Sequence, residues 1–138
     1  MWFIFYENPE IGENCSFVSE NENKLYGMCC WDPRNFPVAI IGHNCIKTIY
    51  KGNGFGKKQL SIALVKLKEK GFQKVTVSTG LLEFFIFAQK MYESVGFYEI
   101  HRDYLNSFKN KMHAQIYYET KLSIWKWTIS SETVKRHH

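Results

Sequence analysis

The sequence predicts an α/β domain of the mixed α+β kind, with helices set between the strands of one sheet. The chain has 138 residues, of which 45% are hydrophobic and 17% aromatic, so it can bury a core of its own. Strand-like and helix-like patterns alternate in the order β-β-β-α-β-α-β-β. Helices that connect strands in this order pack against the sheet. No repeat or linker interrupts the pattern, so residues 1–138 are predicted to form a single domain.

The first half of the chain reads as a hairpin followed by a buried strand. Residues 15–20 and 25–31 are short runs rich in aromatic or branched side chains, and the polar residues 21–23 between them favour a turn. Residues 38–49 are too rich in Ile and Val for a surface strand. They are predicted to form a buried central strand that ends at a glycine-rich segment.

Two amphipathic helices are predicted in the second half. The first places its apolar stripe at Leu60, Ala63, Leu64 and Leu67 and ends at Gly71. The second runs from about residue 83 and ends at Gly96; its stripe is Phe84, Phe87, Ala88, Met91 and Val95. A strand at residues 74–79 separates the helices, and strands at 97–102 and 115–122 complete the sheet.

The charge of the chain is uneven. Residues 1–45 hold two basic and six acidic side chains, whereas residues 46–138 hold sixteen basic and seven acidic ones. Such an excess attracts a polyanion, either nucleic acid or a phosphorylated cofactor, although a solvated lysine surface gives the same count. No nucleic-acid recognition motif is present, so binding to DNA or RNA is the least favoured interpretation.

The cysteines do not form a metal-binding pattern. Cys15, Cys29, Cys30 and Cys45 include no C-x-x-C pair and have no histidines at zinc-ligand spacing. The apolar residues 1–6 are too few for a signal peptide, and no apolar run approaches the length of a membrane span. The sequence therefore predicts no metal and a cytoplasmic protein with reduced thiols and no membrane partner.

The segment Lys51-Gly52-Asn53-Gly54-Phe55-Gly56 joins the buried strand to the first helix. Glycines at such a turn let several backbone N–H groups and the helix dipole point at a phosphate, although a plain glycine-rich turn has the same composition. The ATP-binding pattern G-x-x-x-x-G-K-[ST] does not fit. The dinucleotide pattern G-x-G-x-x-G fails because Lys57 stands at its last glycine.

Two spaced motifs resemble the GCN5-related N-acetyltransferase (GNAT) family over roughly residues 15–122. Lys51-x-x-Gly54-x-Gly56 matches the family motif of Arg or Gln, two residues, Gly, any residue, then Gly or Ala, with lysine at its first position. Tyr92, followed by Gly96 and Phe97, matches a second motif, in the same order along the chain.

The resemblance implies a mixed, mostly antiparallel sheet with helices on both faces, and transfer of an acetyl group from acetyl-CoA to a primary amine. It implies that the backbone N–H groups of Gly52, Gly54, Phe55 and Gly56 hold the CoA pyrophosphate. The implied cofactor site further includes Asn53 of the loop, the cations Lys51, Lys57 and Lys58, the pantetheine-binding main chain of Ile46, Lys47 and Thr48, and Thr79 on the opposite wall.

By the same resemblance, Tyr92 is the general acid that protonates the departing CoA thiolate, with a core aromatic as the alternative role. The usual position of the family's base is occupied by Ile40, so deprotonation through water is favoured, with His43 as the alternative. Strand alternation places His43 on the face opposite Ile40 unless a bulge intervenes. Cys45 is interpreted as an inert strand cysteine, so the transfer is expected to be direct.

The two ends of the chain differ from the family pattern. Only fourteen residues precede the predicted hairpin, so the N-terminal strand and helices are expected to be shortened. In the middle of the chain, Glu83 is a further candidate contact for the acceptor amine. The apolar tail in residues 123–138 is expected to add a strand or to join two copies into a homodimer. The acceptor, a small-molecule or peptide amine, is left open, and an acyl-CoA-binding module without transferase activity is the second hypothesis.

Overall fold

The computed structural model describes residues 14–81, 85–104 and 114–122. The strands are β1 (Ser16–Asn21), β2 (Lys24–Asn35), β3 (Val38–Ile46), β4 (Lys74–Gly80), β5 (Tyr98–Asp103) and β6 (Gln115–Lys121). The helices are α1 (Phe55–Glu69) and α2 (Ile86–Val95), and a 3-10 turn covers Thr48–Tyr50. The elements follow the predicted order β-β-β-α-β-α-β-β, which is confirmed.

The six strands form one sheet in the order β1-β2-β3-β4-β6-β5. Every neighbouring pair is antiparallel except β3 and β4, so the predicted mixed, mostly antiparallel sheet is confirmed. The parallel pair is short, because only Val38–Ile40 pair with Lys74–Thr76. β4 stays paired with β6 as far as Gly80. Beyond Ile40 the two central strands therefore diverge and leave a gap in the sheet.

β3 is shorter than the predicted strand at residues 38–49. Its ladder with β2 closes with a bond from the Lys47 N–H to the Tyr26 carbonyl at 2.8 Å. The chain then turns into the 3-10 segment, where the Tyr50 N–H bonds to the Lys47 carbonyl at 2.9 Å. The β-branched residues after Ile46, Thr48 and Ile49, have a high strand propensity, but here the chain forms a turn instead.

A β-bulge in β3 changes which side chains share a face. Cys30 of β2 pairs with His43 and Trp31 pairs with Ile41, so Gly42 is the extra residue. Because Ile40 pairs with Asp32, two residues from Cys30, Ile40 and His43 project from the same face. The structure therefore contains the bulge that is needed for His43 to share a face with Ile40.

The core lies between the helices and the other face of the sheet. It includes Trp31, Ile41, Leu60, Ala63, Leu64, Leu67, Val75, Val77, Tyr92, Phe97, Ile116 and Tyr118. Both helices contribute to this one cluster and contact each other. The N-terminal part predicted to be shortened and the tail in residues 123–138 lie outside the described residues, so the homodimer stays a prediction.

Both helices end as predicted, at glycines in the left-handed conformation. Gly71 has φ of 90° and Gly96 has φ of 113°. The Phe97 N–H bonds back to the Tyr92 carbonyl at 3.0 Å, which is the longer bond of a Schellman cap. The ring centroids of Tyr92 and Phe97 are 5.7 Å apart. The spacing of the second motif therefore has a structural cause: the glycine turns the chain so that the following phenylalanine packs on the tyrosine.

A buried glutamine fastens α1 to the sheet. Gln59 is fully buried, and its Nε2 donates to the Met28 carbonyl at 2.8 Å, to Asn44 Oδ1 at 2.7 Å and to the Cys45 carbonyl at 3.3 Å. Asn44 Nδ2 in turn donates to the Gly56 carbonyl at 3.2 Å. This network ties the free end of β3 to the first turn of α1.

Gly27 makes room for the network. A Cβ atom there would lie 2.8 Å from Gln59 Oε1 and would overlap the Cys45 carbonyl oxygen. A backbone oxygen cannot move aside as a side-chain tip can. The glycine in β2 is therefore required by the close approach of β3 and α1.

Burial perturbs ionisable groups in this core, most strongly Cys29 and Tyr92. Desolvation raises the pKa of the Cys29 thiol to about 12, and it raises the pKa of the Tyr92 phenol to about 12. Both groups therefore stay protonated in the folded protein at pH values where they would ionise in the unfolded chain.

We expect Gln59→Leu to lower the free energy of unfolding by about 1–3 kcal/mol, since its acceptors on β2, β3 and Asn44 would lose a buried donor. Urea unfolding measures this. Ser61→Ala is the matched control, because the Ser61 hydroxyl bonds only to the Lys57 carbonyl of the same helix, at 2.9 Å. Equal losses for the two variants would contradict the role assigned to Gln59.

The raised pKa values predict a loss of stability in alkali. A group whose pKa is higher in the folded state stabilises that state below its unfolded pKa, and this contribution is lost as pH rises towards the folded value. The free energy of unfolding should therefore fall between about pH 9 and about pH 12. Urea unfolding across this range should show a shallower fall for Tyr92→Phe and an unchanged one for Tyr104→Phe, at an exposed tyrosine. The same slope in Tyr92→Phe and in the parent protein would refute the assignment.

Candidate active site

The N-terminus of α1 offers unbonded backbone donors. Gly54 occupies the N-cap position with φ of 80°, makes no side-chain cap, and no acidic residue lies in the first turn. The first helical bond runs from the Lys58 N–H to the Gly54 carbonyl at 3.1 Å. The N–H groups of Phe55, Gly56 and Lys57 thus have no carbonyl partner within the helix. Together with the helix dipole they suit an anion.

The loop before α1 leaves open space in front of these donors. Gly52 has φ of 82°, and an added Cβ atom at Gly52 or Gly54 would meet no atom within 4 Å. Asn53 has a different part, because its Nδ2 donates to the Tyr50 and Lys51 carbonyls, both at 3.3 Å. The Asn53 side chain therefore stabilises the turn through these two hydrogen bonds.

The cations assigned to the cofactor site lie on two sides of α1. Lys51, Lys57 and Lys58 are all exposed. Lys58, however, lines a groove between α1 and β1. Successive helical residues are turned by about 100°, so Lys58 is rotated by about 200° from Gly56, which faces α2. Lys51 and Lys57 are therefore the cations of the loop itself.

Three aromatic rings support the loop from below. The ring centroids of Tyr26 and Phe55 are 4.5 Å apart, those of Tyr50 and Phe55 5.7 Å, and those of Tyr26 and Tyr50 6.4 Å. Sequence reasoning missed this cluster. The sequence signal for it was the pair of aromatic residues at positions 50 and 55, which flank Gly52 and Gly54.

Gly56 has a packing role beside its N–H group. A Cβ atom there would lie 3.1 Å from Met91 Sδ and 3.6 Å from Ile46 Cγ1. An alanine there would need only a small shift of the flexible Met91 side chain, whereas a large residue would not fit between α1 and α2. Helix contact therefore restricts the last position of the loop motif to a small residue, whereas Gly52 and Gly54 are required by positive φ.

The free edge of β3 leads from the gap to this loop. Because the Lys47 N–H bonds to β2, strand alternation turns the N–H and carbonyl of Ile46 towards β4 and the gap. Both main-chain groups of Lys47 are already bonded, to Tyr26 and Tyr50, and the Thr48 carbonyl accepts from the Lys51 N–H at 3.2 Å. Ile46 is therefore the best-placed backbone partner for a chain lying along the gap. Thr79 of β4 is half-buried and pairs with Ile116.

Tyr92 lies in the core, on the side of the sheet that the helices cover. It is only 7% exposed, and its ring is 5.7 Å from that of Phe97 and 5.9 Å from that of Tyr118. After burial, the thiols of Cys29 and Cys45 are the next causes that raise the pKa of Tyr92. Of these two, Cys29 lies with Tyr92 in the core cluster and pairs with Asn44 near the open end of β3.

His43 lies on the other face of β3 from this core. It pairs with Cys30, whereas the neighbouring Cys29, which belongs to the core cluster with Tyr92, pairs with Asn44. The bulge places His43 with Ile40, the position of the base expected from the motif. Glu83 lies outside the described residues.

The cysteines of the described chain are thiols, and Cys45 is the exposed one. Burial raises the pKa of Cys15 and of Cys30, as it does for Cys29. Such thiols are poor nucleophiles. In residues 14–81, 85–104 and 114–122 no group of His, Cys, Asp and Glu side chains could hold a metal ion.

No helix in the described part of the chain is long and apolar enough to cross a membrane. No curated protein sequence matches the chain significantly.

Several solved structures share the fold. An acetyltransferase from Bacillus subtilis in complex with CoA has a TM-score of 0.72 and 18% identity, over 86% of this chain and 82% of that one. An IAA acetyltransferase from Bacillus cereus has a TM-score of 0.68 and 18% identity, over 84% and 83%. The ribosomal-protein-S18-alanine N-acetyltransferase of Escherichia coli has a TM-score of 0.66 and 17% identity, over 81% and 71%. These likenesses show a common fold.

Sequence similarity covers most of the same region. The model of the acetyltransferase (GNAT) family matches residues 2–97, from before the hairpin to the phenylalanine that caps α2. That span contains both the glycine loop at the N-terminus of α1 and the tyrosine of the second motif. The chain therefore belongs to the acetyltransferase (GNAT) family.

Proposed function

We propose that the protein transfers an acetyl group from acetyl-CoA to a primary amine by direct attack, in the gap between β3 and β4. The observation that carries this proposal is the uncapped N-terminus of α1 at the mouth of that gap, with no acidic residue in its first turn. A phosphate and an extended arm can then be bound at once, the first by helix N–H groups and the second by the edge of β3.

The residues around the gap fit acetyl-CoA. The N–H groups of Phe55, Gly56 and Lys57 would hold the pyrophosphate, with Lys51 and Lys57 supplying positive charge. The main chain of Ile46 would bond to the pantetheine arm in the manner of an added strand. The likeness to a B. subtilis acetyltransferase in complex with CoA supports this choice. When bound, acetyl-CoA supplies the activated thioester.

Tyr92 is the proposed general acid. Attack of the amine on the thioester carbonyl forms the C–N bond, and cleavage of the C–S bond releases a thiolate that needs a proton. Because burial raises the pKa of Tyr92 to about 12, the phenol keeps its proton throughout the physiological range. A weaker acid of this kind can protonate the thiolate only where the thiolate is desolvated too, so the proposal requires the CoA sulfur to lie against this core, where burial also raises the pKa of the Cys29 thiol.

His43 is the proposed route for the proton of the incoming amine, directly or through water. It is half-buried, shares a face with Ile40, and lies on the side of the sheet opposite the Tyr92 core. Acid and base would then act from opposite sides of the gap, which keeps the two proton transfers apart. No described residue selects the acceptor, and both a small-molecule amine and a peptide amine fit the proposal.

We expect Gly54→Glu to abolish saturable binding of acetyl-CoA. A carboxylate at the N-cap would occupy the helix N–H groups and repel the pyrophosphate. Calorimetric titration of acetyl-CoA into the parent protein and the variant measures this effect.

The control for this prediction is Gly71→Glu. Gly71 also has positive φ, at the opposite end of α1, and a Cβ atom there would make ordinary contact with Phe36 at 3.6 Å. It therefore introduces the same backbone strain and the same charge away from the loop, and binding should be unchanged. Loss of binding in both variants would assign the effect to strain, and no binding by the parent protein would refute the proposed cofactor.

We expect Tyr92→Phe to lower kcat by about 100-fold or more, because general acid catalysis contributes about that much, while acetyl-CoA affinity stays the same. The measurement is thiol release with a panel of small amines and peptides. Tyr118→Phe is the control, since it removes a hydroxyl from a neighbouring ring of the same core. Undiminished kcat in Tyr92→Phe would exclude this general acid. Acetyl-CoA binding with no thiol release for any amine would favour the acyl-CoA-binding module.

A further inference from the structure

Phe87 of α2 keeps its ring in water although the sequence places it in an apolar stripe. Ala88, Met91 and Val95 of that stripe pack against the core cluster. Phe87 is 82% exposed, the highest fraction among the large apolar side chains that the structure describes. Single exposed apolar side chains are common on protein surfaces, so the position of Phe87, and not its exposure alone, decides what it can do.

Phe87 lies beside the N-terminus of α1. The two helices follow β3 and β4, which are parallel, so both helices begin at the same edge of the sheet. In the first turn of α1, a Cβ atom on Gly56 would lie 3.1 Å from Met91 Sδ. Phe87 precedes Met91 by four residues, so it shares that face of α2 and lies about 6 Å nearer to the helix N-terminus. It therefore stands beside the uncapped start of α1 at Gly54.

The first turn of α2 is fixed to the sheet. Gln89 Nε2 donates to the Gly80 carbonyl at the end of β4, at 2.8 Å. The Phe85 ring fills the space that a side chain at position 80 would need, because a Cβ atom there would overlap it. Phe87 lies between these two anchored residues, so its ring is exposed but its place in the helix is set.

The proposed function determines which part of acetyl-CoA would meet this ring. With the pyrophosphate on the N–H groups of α1, the pantetheine arm runs along the edge of β3 into the gap. The adenosine is attached to the other end of the pyrophosphate, so it has to leave away from the sheet, past the starts of α1 and α2. Neither helix has an acidic residue in its first turn, so no carboxylate of these two turns opposes a phosphorylated nucleoside.

We propose that Phe87 stacks on the adenine base of acetyl-CoA and so favours a cofactor that carries a nucleoside. This inference rests on the proposed function, since it takes pyrophosphate binding at α1 as its starting point. A flat aromatic ring suits a base because both present a π face, and the stack would remove a large apolar surface from water. Phe87 would act on the affinity for the cofactor and on none of the bonds that change in the transfer.

The test compares acetyl-CoA with S-acetyl phosphopantetheine, which has the thioester, the arm and one phosphate but no nucleoside. Calorimetric titration of Phe87→Ala should show acetyl-CoA binding about tenfold weaker than in the parent protein, the loss of one base–aromatic stack, with the affinity for the shorter compound unchanged. Phe87→Tyr, which keeps an aromatic ring, should bind both compounds as the parent protein does. Ile86→Ala is the matched control, because Ile86 is also exposed but is turned by about 100° on the same helix.

Proton NMR of the bound cofactor gives a second readout. The ring current of a stacked phenylalanine should move the resonances of the adenine ring protons upfield in the parent protein, and this shift should be absent in Phe87→Ala. Unaltered acetyl-CoA affinity in Phe87→Ala, equal losses for both compounds, or unshifted adenine protons would overturn this inference alone. If the parent protein binds neither compound, the proposed cofactor fails, and the stacking fails with it.

Discussion

The divergence of β3 and β4 beyond Ile40 is the constraint around which the rest of the described structure is arranged. The two strands are held together by only three residue pairs, and β4 is then held by β6 as far as Gly80. The gap cannot close without breaking that second ladder. It exposes the backbone edge of β3, which in an ordinary sheet would already be bonded and could bind no other chain.

A strand without a neighbour on one side needs support from elsewhere, and here α1 provides it. Gln59 bonds to β2, to the Cys45 carbonyl and to Asn44, so a single buried amide fixes the end of β3 against the helix. Gly27 allows β2, β3 and the Gln59 side chain to approach closely enough for this. The result is a fixed distance between the open strand edge and the N–H groups of α1, which is what a cofactor with a phosphate and an extended arm requires.

In the proposed reaction, desolvation keeps the proton donor protonated until it is needed. Burial in the core raises the pKa of Tyr92 and of the Cys29 thiol, so both stay protonated, while the bulge at Gly42 turns His43 to the other face. In the proposed reaction, the proton donor and the proton acceptor would lie on opposite sides of the sheet and could not neutralise each other. The same helix faces a shallow groove against β1 on its other side, which Lys58 lines.

Several features follow from the sequence alone, because they depend on local chemistry. Periodicity determined the order of strands and helices, and the glycines at 71 and 96 marked the ends of the helices, since left-handed φ is a property of the residue itself. The spacing of Lys51, Gly54 and Gly56 likewise located a glycine turn at the start of α1, for which the sequence predicts phosphate binding. Tertiary structure decided the rest. The bulge that moved His43, the side of α1 taken by Lys58, the bonding of both Lys47 main-chain groups and the network around Gln59 all depend on contacts between residues distant in the chain. No local pattern encodes such contacts, because each is set by which strand or helix lies opposite.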